Sequence, residues 1–185
     1  MKTLRNLFLE QLGETYEAEQ QQAKTLSRLT KLATNDELRE VLRVHSYETV
    51  GQISKIARVF ECFGEPTNGV RGHAMSGLVA EGNAMVSEHR EGCAKDAAII
   101  AAVQKMEHYE IATYGCLRDW AIELDNREAA VILHEILDEE RTGDHKLSEL
   151  AHKLNAEARV AGAASWQCGM DHDGEEELAH HDGTR

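Results

Sequence analysis

Acidic side chains recur near mid-length in four amphipathic stretches of the sequence, and a histidine stands among them: Glu19, then His45 and Glu48, then Glu107 and Glu110, then Glu140 and Asp144. His45 with Glu48 and Glu107 with Glu110 are spaced i, i+3, and Glu140 with Asp144 are spaced i, i+4, so on helices each pair shares a face. A carboxylate buried without a partner costs several kcal/mol, and such groups require counter-charge. Lysine and arginine are missing from these central positions, which leaves metal cations as the natural compensation. An oxygen-rich set with few imidazoles suits iron or manganese better than structural zinc, which prefers closed Cys/His tetrahedra. Glutamates bridging two ions roughly 3.5–4 Å apart would use such a set. The expectation is two ions, Fe or Mn, with Fe favoured. Six carboxylates exceed the charge of two divalent ions, so some are expected to orient His45 or to be protonated rather than to coordinate. Glu19, Glu48, Glu110 and Glu140 rank first as ligands, followed by His45, Glu107 and Asp144. Around them, Tyr16 lies one turn before Glu19 and Tyr114 one turn after Glu110, both placed to donate hydrogen bonds or to pack, while Gln22 and Gln52 are expected to close the polar layer.

Four long helices must position these residues. Their inward stripes, traced at alternating spacings of three and four, are Phe8, Leu12, Thr15, Glu19, Gln22, Leu26 and Leu29 on the first; Leu38, Val41, His45, Glu48, Gln52, Ile56 and Val59, with one stutter, on the second; Ile99, Val103, Met106, Glu110, Thr113, Leu117 and Trp120 on the third; and Leu133, Leu137, Glu140, Asp144, Leu147 and Ala151 on the fourth. Each is apolar at its ends and acidic in the middle. The first helix is expected over about Thr3 to Ala33, and Thr34-Asn35-Asp36-Glu37 offers a capping box for the second, which ends near Phe63 before Gly64 and Pro66. Residues 64–95 form a glycine-rich connection that holds one or two short helices between His73 and His89. The third helix runs from near Asp96 to Glu123, and after a turn at Asp125-Asn126 the fourth runs from Arg127 to about Ala161.

Levels along the bundle agree with one site. Glu19 precedes Thr34 by 15 residues and Glu48 follows it by 14, while Glu110 precedes Asn126 by 16 and Glu140 follows it by 14. In antiparallel hairpins these acids face one another. Two hairpins joined by a long crossover make an all-α, ferritin-like antiparallel four-helix bundle. The bundle is expected over residues 1–161 and a polar, acidic, disordered tail over residues 162–185, whose His172, His180 and His181 are read as solvated.

Composition agrees. One proline and 5% aromatic residues favour helix over sheet. The 20 basic and 33 acidic residues give a formal charge of −13, which repels phosphate backbones and argues against nucleic acid as a partner. No apolar run reaches the roughly 20 residues of a membrane span, and the N-terminus enters an amphipathic pattern directly, so a cytoplasmic protein is expected. The four cysteines form no CxxC pair, which argues against a zinc knuckle or a disulfide framework.

Leu7-Phe8-Leu9 with Tyr16-Glu17-Ala18-Glu19, His45 with Glu48-Thr49 and Gly51-Gln52, Ala74-Met75-Ser76-Gly77-Leu78, the stretch Ala101 to Gly115, and Leu137 to Leu147 together resemble the YciE/YciF family of ferritin-like proteins, over about residues 3–155. The resemblance implies a ferritin-like fold, a dinuclear metal site, a homodimer and a link to stress responses, with no settled reaction. Tyr47 stands where a common family form has a second acid beside Glu48. Against the broader ferritin pattern of Glu-x-x-His on two helices, His45-x-x-Glu48 is reversed and Asp144 replaces a histidine, so ferroxidase chemistry does not follow by simple analogy. Two functions follow as expectations: a redox-active di-metal protein that oxidises Fe(II) or reacts with oxygen or peroxide, and a non-enzymatic dimeric bundle acting as a stress or interaction module, with a structural metal or none.

Overall fold

The computed structural model describes the backbone of residues 1–170 and the side chains of residues 1–160. Five helices account for it: α1 (Leu4–Leu32), α2 (Asp36–Cys62), α3 (Ala74–Ser87), α4 (Cys93–Glu123) and α5 (Arg127–Met170), with no strand among the described residues. The four long helices are those expected, and the crossover holds one short helix, α3. α5 continues past the expected end near Ala161, because Gly162 alone costs a helix only about 1 kcal/mol relative to alanine. The acidic segment 171–185, with His172, His180 and His181, lies outside the described residues.

Local chemistry sets the helix ends. Thr3 and Asn6 form a reciprocal capping box at the start of α1. At α2 the cap is the Asn35 side chain, which accepts from the Leu38 amide at 3.0 Å. The box expected there from Glu37 does not form: Glu37 accepts from Lys153 on α5, and Thr34 turns instead to Asp96 at the start of α4. Buried Asp96 accepts from the Thr34 amide at 2.7 Å and the Asn35 amide at 2.9 Å, which ties the α1–α2 turn to α4. α2 ends in a Schellman motif, Glu65 N–H to Phe60 O and Gly64 N–H to Glu61 O, with Gly64 at φ 69°. α4 ends in the same pattern, with Asp125 at φ 55° in the position that favours glycine.

α1 packs on α2 and α4, and α5 packs on α2 and α4, so the four long helices close a ring, with α3 lying against α1 and α4. The crossover is seated on α1: Val70 N–H donates to Gly13 O, and a β-carbon at Gly13 would come within 2.8 Å of the Asn68 carbonyl oxygen. The interior divides into two apolar clusters. One centres on Leu26, Leu42, Val103, Met106 and Leu147, the other on Phe8, Leu12, Ile56, Leu133 and Leu137. Each fully buried side chain of this kind stabilises by about 1.5–3 kcal/mol. Between the two clusters in sequence, on all four helices, lie the buried polar residues Glu19, Gln22, His45, Thr49, Gln52, Glu107, Glu110 and Glu140.

Candidate metal centre

Four glutamates and one histidine meet inside the ring. Glu19 comes from α1, His45 from α2, Glu107 and Glu110 from α4, and Glu140 from α5; the four glutamates are 0% exposed and His45 4%. Their ligand atoms fall into two triads, His45 with Glu107 and Glu140, and Glu19 with Glu110 and Glu140, each spanning no more than 4.8 Å. Glu140 belongs to both.

The surrounding polar groups hold this set in place but leave much of it without partners. Tyr114, wholly buried, donates to Glu19 Oε1. Gln52 Nε2 donates to Glu140 Oε1 at 2.6 Å and reaches Glu139 on the same helix at 3.3 Å. Nε2 of His45 lies 2.9 Å from Glu107 Oε1 and 3.0 Å from Gln22 Nε2. A single ring nitrogen cannot donate to the first and accept from the second at once, so this contact changes with the protonation state of the ring. The orphaned buried atoms, among the described residues, all belong to this layer: one oxygen of Glu19, Oε2 of Glu107, both of Glu110, one of Glu140, Nδ1 of His45, and the amide oxygens of Gln22 and Gln52, while Glu107 Oε1 has only the His45 ring nitrogen beside it. The ion pairs made by lysine and arginine among the described residues involve none of the four glutamates.

Burial raises the proton affinity of Glu19, Glu110 and Glu140. It pushes Glu19 up to about 7, against the opposing hydrogen bond from Tyr114. Burial, reinforced by the facing carboxylates, holds Glu110 and Glu140 well above the usual carboxylate range. Burial disfavours a charged His45, but its contacts with Glu107 and Glu48 outweigh that and raise it well above its ordinary value. Tyr114 is likewise raised by burial, and then by Glu19 beside it. The donor set fits two divalent cations: four carboxylates match their charge, and the unpartnered oxygens and Nδ1 supply lone pairs that nothing else in the layer uses.

Two expected ligands stand at the rim instead. Glu48 is about one-third exposed, with Oε2 3.8 Å from His45 Nδ1, and its proximity to His45 holds it below the usual carboxylate range. Asp144, 20% exposed, accepts from Gln104 Nε2 at 3.1 Å and faces the exposed His108 at 3.5 Å. Tyr16 is half-buried against the Phe8 cluster, and no side-chain hydrogen bond joins it to the acids. The seam of α2 runs without a stutter through Leu38, Leu42, His45, Thr49, Gln52, Ile56 and Val59, so Leu42 and Thr49 face inward where Val41 and Glu48 were expected. On α5 the inward residue after Glu140 is Gly143, not Asp144. A β-carbon there would come within 3.3 Å of both Glu107 Oε2 and His45 Nδ1. An isolated glycine inside a helical pattern is the sequence signal that marks such a close approach.

Residues 3–159 match the family described as a domain of unknown function, DUF892. The chain belongs to the DUF892 family. Within it, the chain is 40% identical over 152 residues to protein YciF of Escherichia coli K12, covering 82% of this chain and 92% of that protein. The crystal structure of the E. coli stress protein YciF superposes with a TM-score of 0.81 at 39% identity, over 84% of this chain and 99% of that one. YcfI of Rhodopseudomonas palustris gives 0.78 at 38% identity, over 80% and 94%. Beyond these close relatives, a ferritin-like, diiron-carboxylate protein of Bacillus anthracis superposes with a TM-score of 0.63 at 14% identity, over 82% and 99%, a likeness of fold. The expected family and all-α, ferritin-like fold are both borne out, and among the described residues no helix is long and apolar enough to cross a membrane.

Proposed function

We propose that this DUF892 protein binds two metal ions, iron in preference to manganese, and uses them to oxidise Fe(II) or to consume oxygen or peroxide during stress. The observation that carries the reading is Glu140, a buried carboxylate common to two triads that no lysine or arginine among the described residues balances. His45 and Glu107 would hold one ion, Glu19 and Glu110 the other, and Glu140 would span both. Bound iron would supply one-electron chemistry, with the carboxylates favouring the higher oxidation state. Tyr114 orients Glu19, and Gln52 orients Glu140, so that each presents its free oxygen inward. Protons displaced from the raised carboxyl groups would leave as cations enter. The stress role draws on the relative's description as a stress protein, and a homodimer is proposed from the family resemblance.

Anaerobic titration of metal-free protein with Fe(II), followed by admission of oxygen, tests the reading. Two ions per chain and oxygen consumption that disappears in Glu110→Ala are expected. Binding of two ions with no turnover would favour a structural metal in a non-enzymatic module, and no binding would reject the metal reading. Light scattering of the purified chain checks the dimer.

A further inference from the structure

A cavity of about 110 Å³ lies between α2 and α5, walled by Val41, Leu42, Val44, Val103 and Leu147. It is bordered by the exposed Glu40 and Lys146 and the partly exposed Glu48, and at its inner end by the buried His45 and Gly143. Three observations join this cavity to the carboxylate layer. His45 Nδ1 is buried and has no hydrogen-bond partner. The space left by the missing side chain of Gly143 borders that nitrogen and Glu107 Oε2, each 3.3 Å from where a β-carbon would be. And Gly143 sits buried in the interior of α5, where glycine costs about 1 kcal/mol relative to alanine and something must compensate.

A space of this size with mostly apolar walls favours small apolar molecules. An anion or a strongly hydrated cation would lose its water shell against those walls without replacement. We infer that the cavity is the binding site and entry route for a small neutral molecule of the dioxygen class, and that Gly143 keeps its inner end open to His45 and Glu107. The purpose of the route rests on the di-metal reading, but the route itself does not require metal to be present. Glu48, one-third exposed, borders both the cavity and the acidic outer surface formed by Glu135, Asp138 and Glu139.

The test uses dissolved dioxygen as a paramagnetic probe on the metal-free full chain. Methyl relaxation is compared at Val103 and Leu147 and, as a reference, at Leu12 and Leu133 in the other apolar cluster, together with the His45 ring protons. Several-fold greater enhancement at Val103, Leu147 and His45 than at the reference methyls is expected. Val41→Phe, which fills the outer part from a half-buried position, should reduce all three to the reference level, and Val44→Phe serves the same purpose should the first variant not fold. Gly143→Ala should reduce the enhancement at His45 and leave that at Val103 and Leu147. Equal relaxation in the two clusters of the wild type would overturn the cavity as a binding site, and an unchanged His45 in Gly143→Ala would overturn the role of the glycine. Because no metal enters the experiment, its failure is distinct from failure of the Fe(II) titration.

Discussion

Glu140 is the residue on which two triads depend, and its removal should differ in kind from removal of an acid that serves one. Glu140→Ala is expected to lower metal content below one ion per chain, while Glu19→Ala should retain about one, as measured by elemental analysis after dialysis. The same burial makes the acids costly when no cation is present. Glu19, Glu110 and Glu140 have folded-state proton affinities above their unfolded values, so the folded chain binds more protons and stability falls as pH rises between the two values. For Glu19 the fall runs from about 4.5 to about 7, a loss on the order of 3 kcal/mol, and Glu110 and Glu140 extend it to higher pH. His45 acts in the same direction: its raised value contributes stability below its ordinary 6.5 that is lost as pH rises through the folded value. Urea denaturation of the metal-free protein should therefore give a midpoint that drops steadily from pH 5 to pH 8. Glu110→Gln should flatten this slope and raise the midpoint at pH 8 while weakening metal binding, the exchange of stability for function expected at a charged interior site.

At the scale of elements, the helices were legible because their apolar stripes are long and their ends carry recognisable residues: Asn35, Gly64 and Asn126 each act where the sequence places a cap or a stop. The face of each helix was legible to within one residue. On α2 an unbroken alternation of three and four selects Thr49 over Glu48, whereas on α5 the alternation selects Asp144 and the structure instead buries Gly143, three residues after Glu140. α4 also departs from the regular pattern: it buries Tyr114 and Ala121 in the Phe8 cluster where the alternation selects Thr113 and Trp120. Asp96 was not legible as a structural residue, since its partners Thr34 and Asn35 lie about 60 positions away. Asp96→Ala would leave two amides at the α1–α2 turn without their charged acceptor, and a loss of about 2–4 kcal/mol in chemical denaturation is expected. Asp125→Gly, by contrast, should leave stability unchanged or raise it by up to about 1 kcal/mol, because φ 55° suits glycine.

For the molecule as a whole, the ring of four helices keeps two apolar clusters apart by a polar layer whose glutamates pair with no lysine or arginine among the described residues. On the proposed reading, metal binding would also be a source of folding stability. At a free ion concentration 100-fold above the dissociation constant, one site contributes about 2.7 kcal/mol, enough to raise the melting temperature of a chain of this size by roughly 5–10 °C. Calorimetry with and without added ion checks that shift, and chelator should reverse it. The most direct test of the central claim is anomalous diffraction from crystals grown with iron or manganese, recorded on both sides of the metal absorption edge. Two peaks per chain are predicted, one among His45, Glu107 and Glu140 and one among Glu19, Glu110 and Glu140, with the Glu140 carboxylate between them. Crystals that show no peak there, with the four glutamates protonated and hydrogen-bonded to one another or to water, would contradict it.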